Sequence, residues 1–191
     1  AVGENLQPSE RTRRLSRAGA PALGVRMGLT VQGELTARAN QVMEGYWEQP
    51  EATADAIVDG WFRTGDGGTI DDEGYVTISD RKKDVIISGG ENVSSIEVED
   101  ALFSHPAVAE VAVIGVPDEK WGELVLGLVV LVEGESVSED ELRDHCRPKL
   151  AGYKIPKRIE FRAELARTAT GKLQKFKLRE SYWEGFDRKV N

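Results

Sequence analysis

The sequence predicts an α+β fold, with a β-rich first half and a second half in which helices and strands alternate around a small mixed sheet. Up to about Ser79, short apolar segments are separated by glycine and acidic turns. After Asp80, two capping boxes, each a Ser followed three residues later by Glu, precede apolar residues at helical spacing. Forty per cent of the 191 residues are apolar, which is enough for packed cores. We therefore predict two domains, at 1–79 and 80–191.

The first half is predicted to be mostly β, with one short helix at about 50–57. The clearest element is a hairpin. The acidic turn Asp71-Asp72-Glu73-Gly74 separates β-type segments at 69–70 and 75–78, and a polar, glycine-containing turn between two such segments is typical of paired antiparallel strands.

Capping boxes organise the second half. Ser94 and Glu97 open a helix that ends before Pro106, and Ser138 and Glu141 open another. The second helix places Leu142, Cys146 and Leu150 on one apolar face. The remaining predicted elements are strands at 110–116, 124–132 and 158–165 and a final helix at 173–183.

Composition excludes several classes of function. The 25 Lys and Arg residues are outnumbered by 33 Asp and Glu residues, giving a net charge of −8, which disfavours binding to nucleic acid. The apolar run from Leu124 to Val132 is nine residues long, whereas a membrane-spanning helix needs about 20. No signal peptide is visible from Ala1 to Glu4, so we expect a cytoplasmic protein without a transmembrane segment.

Histidine and cysteine do not indicate catalysis or metal binding. Both histidines, His105 and His145, fall in predicted helical segments, where a surface or helix-end position is expected. Cys146, the one cysteine, is expected in the core and cannot form an intrachain disulfide. No metal-ligand spacing occurs, so no metal site is predicted in this chain.

Three strings have residue types suited to a nucleotide or a thiol cofactor, although each alone also fits an ordinary turn. The string at 168–172 is a small-residue loop that ends in Lys172, a compact cation able to reach a phosphoryl group. A phosphate-binding loop of the Walker type is rejected because Ala166 and Leu173 occupy its required positions. Asp66 ends a string at 61–66 and could accept two ribose hydroxyls. Paired glycines at 89–90 allow a ligand to approach the backbone closely.

Taken together, the motifs resemble the carboxy-terminal part of the adenylate-forming, AMP-dependent acyl-CoA synthetases, which include the fatty-acid–CoA ligases. Eight strings occur in the family's order: Gly45-Tyr46-Trp47, 61–66, 72–75, 80–84, 88–92, 116–123, 153–157 and 168–172. The resemblance implies an acid–thiol ligase. ATP and a carboxylate first give an acyl-adenylate, and the thiol of coenzyme A then displaces AMP.

The resemblance assigns nucleotide contacts to four residues. Asp66 matches the family aspartate that holds the ribose hydroxyls, and Arg81 matches an arginine that contacts the nucleotide. Lys172 matches the catalytic lysine that stabilises charge during adenylation. Lys83 is a weaker candidate for an AMP contact in a second pose of the carboxy-terminal domain.

The same resemblance implies a mobile carboxy-terminal lid that rotates between the two steps. Asp80 matches the hinge of that rotation. Ser88, Gly89 and Gly90 match the loop that lines the CoA pantetheine channel. Ala166 and Gly67 depart from the family pattern, and neither change removes a group with an assigned chemical role.

The family's phosphate-binding loop, the string that helps hold ATP and Mg²⁺, and the acyl pocket have no counterpart in these 191 residues. We therefore expect a missing amino-terminal domain as partner, Mg²⁺ bound mainly by that domain, and no adenylation by this chain alone. The carboxylic acid, expected to be a fatty or medium-chain acid, is not specified. Two alternatives remain open: an adenylation domain that loads a carrier protein, and a non-catalytic module that retains the fold.

Overall fold

The computed structural model describes residues 17–186, which form two compact units divided between Lys82 and Lys83. The predicted domain boundary at Asp80 lies a few residues earlier, inside the last strand of the first unit. The structure confirms the α+β class, with one five-stranded sheet in each unit. The roles of the units, as the end of a larger domain and a mobile lid, stay predictions.

Among its described residues, 17–82, the first unit contains one sheet and one short helix. Its elements are β1 (Arg26–Leu29), β2 (Glu34–Arg38), α1 (Pro50–Ala56), β3 (Ile57–Val58), β4 (Trp61–Ile70) and β5 (Val76–Arg81). Antiparallel pairing joins β1 to β2, β2 to β4, and the long strand β4 to both β3 and β5. The predicted helix is therefore confirmed as α1, and the predicted hairpin as β4–β5.

The hairpin brings distant residues together because its register is fixed at the turn. Asp71 Oδ1 accepts the backbone N–H groups of Glu73 and Tyr75, an Asx-type turn that closes the loop. Ile70 then pairs with Val76, and a register shift at the glycines 67 and 68 places Asp66 opposite Arg81.

The second unit is built around a central strand. Its elements are β6 (Ile86–Ser88), β7 (Glu91–Val93), α2 (Ser95–Phe103), β8 (Val108–Asp118), β9 (Gly122–Leu131), α3 (Glu139–Cys146), β10 (Arg158–Phe161) and α4 (Lys175–Glu180). Strand β9 pairs antiparallel with β8 and with the end of β6, and parallel with β10. Both strands predicted at 110–116 and 124–132 are confirmed. Strand β8 extends further at both ends, whereas β9 begins two residues earlier and ends one residue earlier than predicted.

Apolar side chains cover both faces of this sheet, because successive residues of a strand point to opposite sides. On β8, Val113 belongs to a core shared with Leu102 and Leu142, while Ile114 belongs to a second core with Leu165. The first core includes the predicted face of α3, where Leu142, Cys146 and Leu150 are all buried.

Both predicted helix starts are confirmed. Ser94 accepts the backbone N–H of Glu97, and the Glu97 carboxylate forms an ion pair with Lys154. At the second site Ser138 and Glu141 bond reciprocally, which completes the capping box.

Four predictions need correction. No strand is predicted between Asp80 and the helix that Ser94 opens, yet residues 86–93 form the β6–β7 hairpin, because Ser88 pairs with β7 and with β9. The strand expected at 158–165 ends at Phe161, and the helix expected at 173–183 covers only Lys175–Glu180. His105 lies beyond the end of α2 rather than within a helix.

Within residues 17–186, no helix is long and apolar enough to cross a membrane. The prediction about a signal peptide concerns residues 1–4, which lie outside the described part of the chain.

Candidate functional site

Asp66 and Arg81 face each other across the β4–β5 hairpin of the first unit. The Arg81 Nε atom lies 3.4 Å from Asp66 Oδ1. The Asp66 side chain is mostly buried, whereas the Arg81 side chain is 64% exposed. This arrangement offers a fixed carboxylate for hydroxyl groups beside a guanidinium that is exposed enough to reach an anion.

The backbone around Asp66 is held by several bonds. Thr64 Oγ1 accepts the Asp66 N–H at 3.1 Å and donates to the Leu35 carbonyl. Glu34, which is 5% exposed, accepts the Gly65 N–H at 3.1 Å. Sequence analysis did not identify Glu34, because it lies 31 residues before the glycine that it contacts.

The end of β5 is attached firmly to the first unit. Asp80 is 2% exposed, its Oδ1 atom accepts the Arg81 N–H at 2.7 Å, and it pairs with Gly67. Lys82 donates its N–H to the Gly65 carbonyl and places its ammonium 3.3 Å from Glu34 Oε2. Asp80 is therefore part of a strand, and its role as a hinge stays a prediction.

The start of the second unit is bonded to helix α4 of the same unit. Arg179 donates to the Lys83 carbonyl at 3.0 Å and forms a largely buried ion pair with Asp84 at 2.8 Å. Lys83 itself lies at the surface. Lys82 is therefore bonded to the first unit, whereas Lys83 and Asp84 are bonded to the second.

Ser88, Gly89 and Gly90 lie at the turn of the β6–β7 hairpin. Both glycines have positive φ angles, 62° and 85°, as a two-residue hairpin turn of this kind requires. The Gly89 N–H donates to the Trp121 carbonyl at 2.8 Å, and a Cβ atom on Gly89 would lie 2.8 Å from the Trp121 ring. Glycine is therefore needed both for the turn and for the aromatic contact.

Two lysine side chains lie close to the ring of Trp121, and sequence analysis assigned no role to any of the three residues. Trp121 is 37% exposed, and the ammonium groups of Lys120 and Lys157 lie 4.9 Å and 5.7 Å from the centroid of its ring. Such distances fit cation–π attraction. The glycine turn therefore adjoins a partly open aromatic face with two positive charges.

Lys172 lies at the surface on the 168–172 loop, as predicted. The Thr168 N–H donates to the Lys172 carbonyl at 2.8 Å, and the Lys172 N–H donates to Thr168 Oγ1 at 3.0 Å. Gly171, with φ of 84°, donates to the Thr168 carbonyl. The backbone of the loop is a closed turn that projects a lysine side chain.

The structure thus brings Asp66 and Arg81 together in the first unit, and places Lys83, the glycine turn and Lys172 in the second. Within residues 17–186 there is no group of three or more His, Cys, Asp or Glu side chains that could hold a metal ion. Cys146 is buried, as expected for a core thiol, and burial raises the pKa of its thiol.

Comparison with known proteins identifies the class. Residues 97–172 match the AMP-binding enzyme C-terminal domain. The long-chain-fatty-acid–CoA ligase FadD13 of Mycobacterium tuberculosis is 51% identical over 151 residues, which are 79% of this chain and 30% of that protein. The chain spans about a third of the length of the curated relatives that it matches.

Two solved structures have the same fold. ATP-bound MatB from Rhodopseudomonas palustris gives a TM-score of 0.84 at 36% identity, over 90% of this chain and 37% of that one. The o-succinylbenzoate CoA synthetase MenE from Bacillus subtilis, in complex with its acyl-adenylate OSB-AMP, gives 0.81 at 37%, over 91% of this chain and 37% of that one. The chain belongs to the adenylate-forming acyl-CoA ligase family, where it corresponds to the carboxy-terminal part.

Proposed function

We propose that this chain supplies the carboxy-terminal part of an ATP-dependent acyl-CoA ligase. A carboxylate oxygen attacks the α-phosphorus of ATP, and pyrophosphate leaves. The thiolate of CoA then attacks the acyl carbonyl, AMP leaves, and the thiol proton is released. The observation that carries this proposal is the fold, which is shared with structures that hold ATP and an acyl-adenylate. It is supported by the resemblance of the strings that contain Asp66, Arg81, the glycine turn and Lys172 to the family's motifs.

In the first step, Asp66 binds the ribose hydroxyls and Arg81 contacts the nucleotide. A carboxylate can accept two hydrogen bonds, and the bond that the Asp66 N–H donates to Thr64 Oγ1 holds the backbone from which this carboxylate extends. Lys172 places its ammonium where negative charge develops on the α-phosphate. Such a preorganised contact contributes about 3–4 kcal/mol to transition-state stabilisation.

In the second step, the turn of Ser88, Gly89 and Gly90 lines the path of the pantetheine arm. The neighbouring Trp121 with its two lysines favours free CoA as acceptor, because CoA carries both a purine that can stack and phosphates that need cations.

Rotation between the two steps requires a pivot, which the family resemblance puts at Asp80. The bonding pattern favours the backbone torsions on either side of the peptide between Lys82 and Lys83, two residues further along the chain. Lys82 is bonded to Glu34 and Gly65 of the first unit, while Arg179 of the second unit bonds to Lys83 and Asp84. Backbone rotation between these attachments breaks neither set. Lys83 would then be carried to AMP in the second pose.

The partner is the remainder of the enzyme. It contains the acyl pocket, makes most of the contacts to ATP and supplies most of the protein ligands of Mg²⁺. We assign no residue of this chain to Mg²⁺. The acid is a fatty or medium-chain carboxylic acid, by likeness to FadD13. The relatives include an o-succinylbenzoate enzyme as well, so an acid panel is needed to define it.

The complete enzyme that contains this chain, incubated with ATP, Mg²⁺, CoA and a panel of carboxylic acids, should release pyrophosphate and form a CoA thioester detectable by mass spectrometry. This chain alone should release none. Thioester formation on a carrier protein but not on CoA would support the carrier-loading alternative. Absence of pyrophosphate release with every acid would support a non-catalytic module.

A further inference from the structure

Arg167 connects the lysine loop to the sheet of the second unit. Its Nη2 and Nε atoms lie 2.7 Å and 3.3 Å from Oε2 of Glu110 on strand β8. Its Nη1 atom donates to the carbonyl of Gly171 at 2.7 Å, and Gly171 directly precedes Lys172. One guanidinium therefore spans the sheet and the peptide group from which Lys172 extends.

The geometry suits a planar guanidinium and not a lysine ammonium. Arginine presents several donors in a rigid fork, so it can hold a carboxylate and a carbonyl in fixed relative positions. The bonds between Thr168, Gly171 and Lys172 close the turn internally. The Arg167 contacts instead fix where the turn lies on β8.

We propose that Arg167, held by Glu110, is a positioning residue for Lys172 in adenylation. This inference rests on the function proposed above for Lys172. Phosphoryl catalysis depends on placement, and a displacement of about 1 Å can cost on the order of 100-fold in rate. The lysine stem has a fixed maximum length, so the position of its backbone limits where the ammonium can be held.

The ion pair itself contributes little to folding. The two side chains are 42% and 39% exposed, and exposed pairs of this kind contribute about 0–1 kcal/mol to stability. A large kinetic effect of removing Arg167 would therefore come from placement of the loop and not from unfolding.

The test uses the complete enzyme with Arg167→Met and Arg167→Lys, and measures the two half-reactions separately. Adenylation is followed by acid-dependent exchange of pyrophosphate with ATP, and thioester formation is followed from supplied acyl-adenylate and CoA. Arg167→Met should lower kcat of adenylation by about 10–100-fold with little change in KM for ATP. Thioester formation should stay within about twofold, since the loop is not used there. Arg167→Lys should restore adenylation only in part.

The matched control is Arg147→Met, which removes another exposed ion pair of the second unit, that with Asp144 at 2.7 Å. Both half-reactions should be unchanged in this variant. Glu110→Gln should produce a smaller loss confined to adenylation, because the bond from Arg167 to the Gly171 carbonyl is retained.

Equal losses in both half-reactions, or no loss in either, would overturn the positioning role of Arg167. Lys172→Ala is measured in parallel to separate this inference from the proposed function. If Lys172→Ala lowers adenylation and Arg167→Met does not, only the positioning role fails. If Lys172→Ala leaves adenylation intact, the proposed function fails first. The double variant should be no slower than Lys172→Ala alone, because a positioning residue has no effect once its target is absent.

Discussion

The contact between Gly89 and Trp121 gives a quantitative prediction about the turn of the β6–β7 hairpin. A methyl group at Gly89 would lie 2.8 Å and 3.1 Å from two carbons of the indole ring. A methyl group at Gly90 would meet no atom within 4 Å, although its φ angle is also positive. The two glycines therefore separate backbone strain from a side-chain clash.

Positive φ costs a non-glycine residue about 1–2 kcal/mol, so Gly90→Ala should lower the free energy of unfolding by that amount. Overpacking adds about 1–3 kcal/mol, which brings the expected loss for Gly89→Ala to roughly 2–5 kcal/mol. For a domain of about 100 residues, each kcal/mol lowers Tm by about 4 °C or more.

The assay is urea unfolding of this chain followed by circular dichroism, with the two variants compared under identical conditions. A double-mutant cycle with Trp121→Leu should show a coupling of about 1 kcal/mol with Gly89→Ala and none with Gly90→Ala. Equal losses in the two alanine variants, or equal coupling, would refute the argument that the indole ring restricts residue 89.

Three further predictions concern helix α3 and its N-cap. Burial, with the positive charges of Lys149 and His105, lowers the pKa of His145. As the pH falls, His145 is therefore protonated in the unfolded chain before it is protonated in the folded chain. The free energy of unfolding should fall as the pH drops below about 6.5. His145→Gln should flatten this dependence between pH 7 and 5, and an unchanged slope would contradict it. Ser138→Ala removes the helix cap and should cost about 1 kcal/mol in urea unfolding; a loss below about 0.3 kcal/mol would refute the capping role. Cys146 should resist iodoacetamide in the native chain at pH 8 and react in urea, because burial raises the pKa of its thiol; rapid native alkylation, seen by mass spectrometry, would contradict this.

Elements defined by neighbouring residues could be predicted from the sequence. The turn at Asp71 closes through bonds to residues two and four positions away, and Ser138 caps a helix through a residue three positions away. Short strands could not be predicted in this way. Strand β6 has three residues, too few for an alternating pattern, and it forms because Ser88 pairs with Gly122 of β9.

The residues of the candidate site likewise divide into those in local motifs and those brought close from distant parts of the chain. The motif residues Asp66 and Lys172 lie in local strings, so the family resemblance could single them out from the amino-acid sequence alone, and their roles stay predictions. Their supporting residues could not be assigned, because Glu34 and Glu110 lie 31 and 57 positions from the residues that they contact. The first contact is made by the pairing of β2 with β4, and the second by contact of the lysine loop with β8.

The central claim is that Lys172 acts in adenylation and not in thioester formation. The most direct test is the ratio of the two half-reaction rates in Lys172→Ala of the complete enzyme, relative to wild type. Loss of a preorganised charge contact predicts a fall of about 100–1,000-fold in adenylation and little change in thioester formation from supplied acyl-adenylate. Equal falls in both half-reactions would contradict the account.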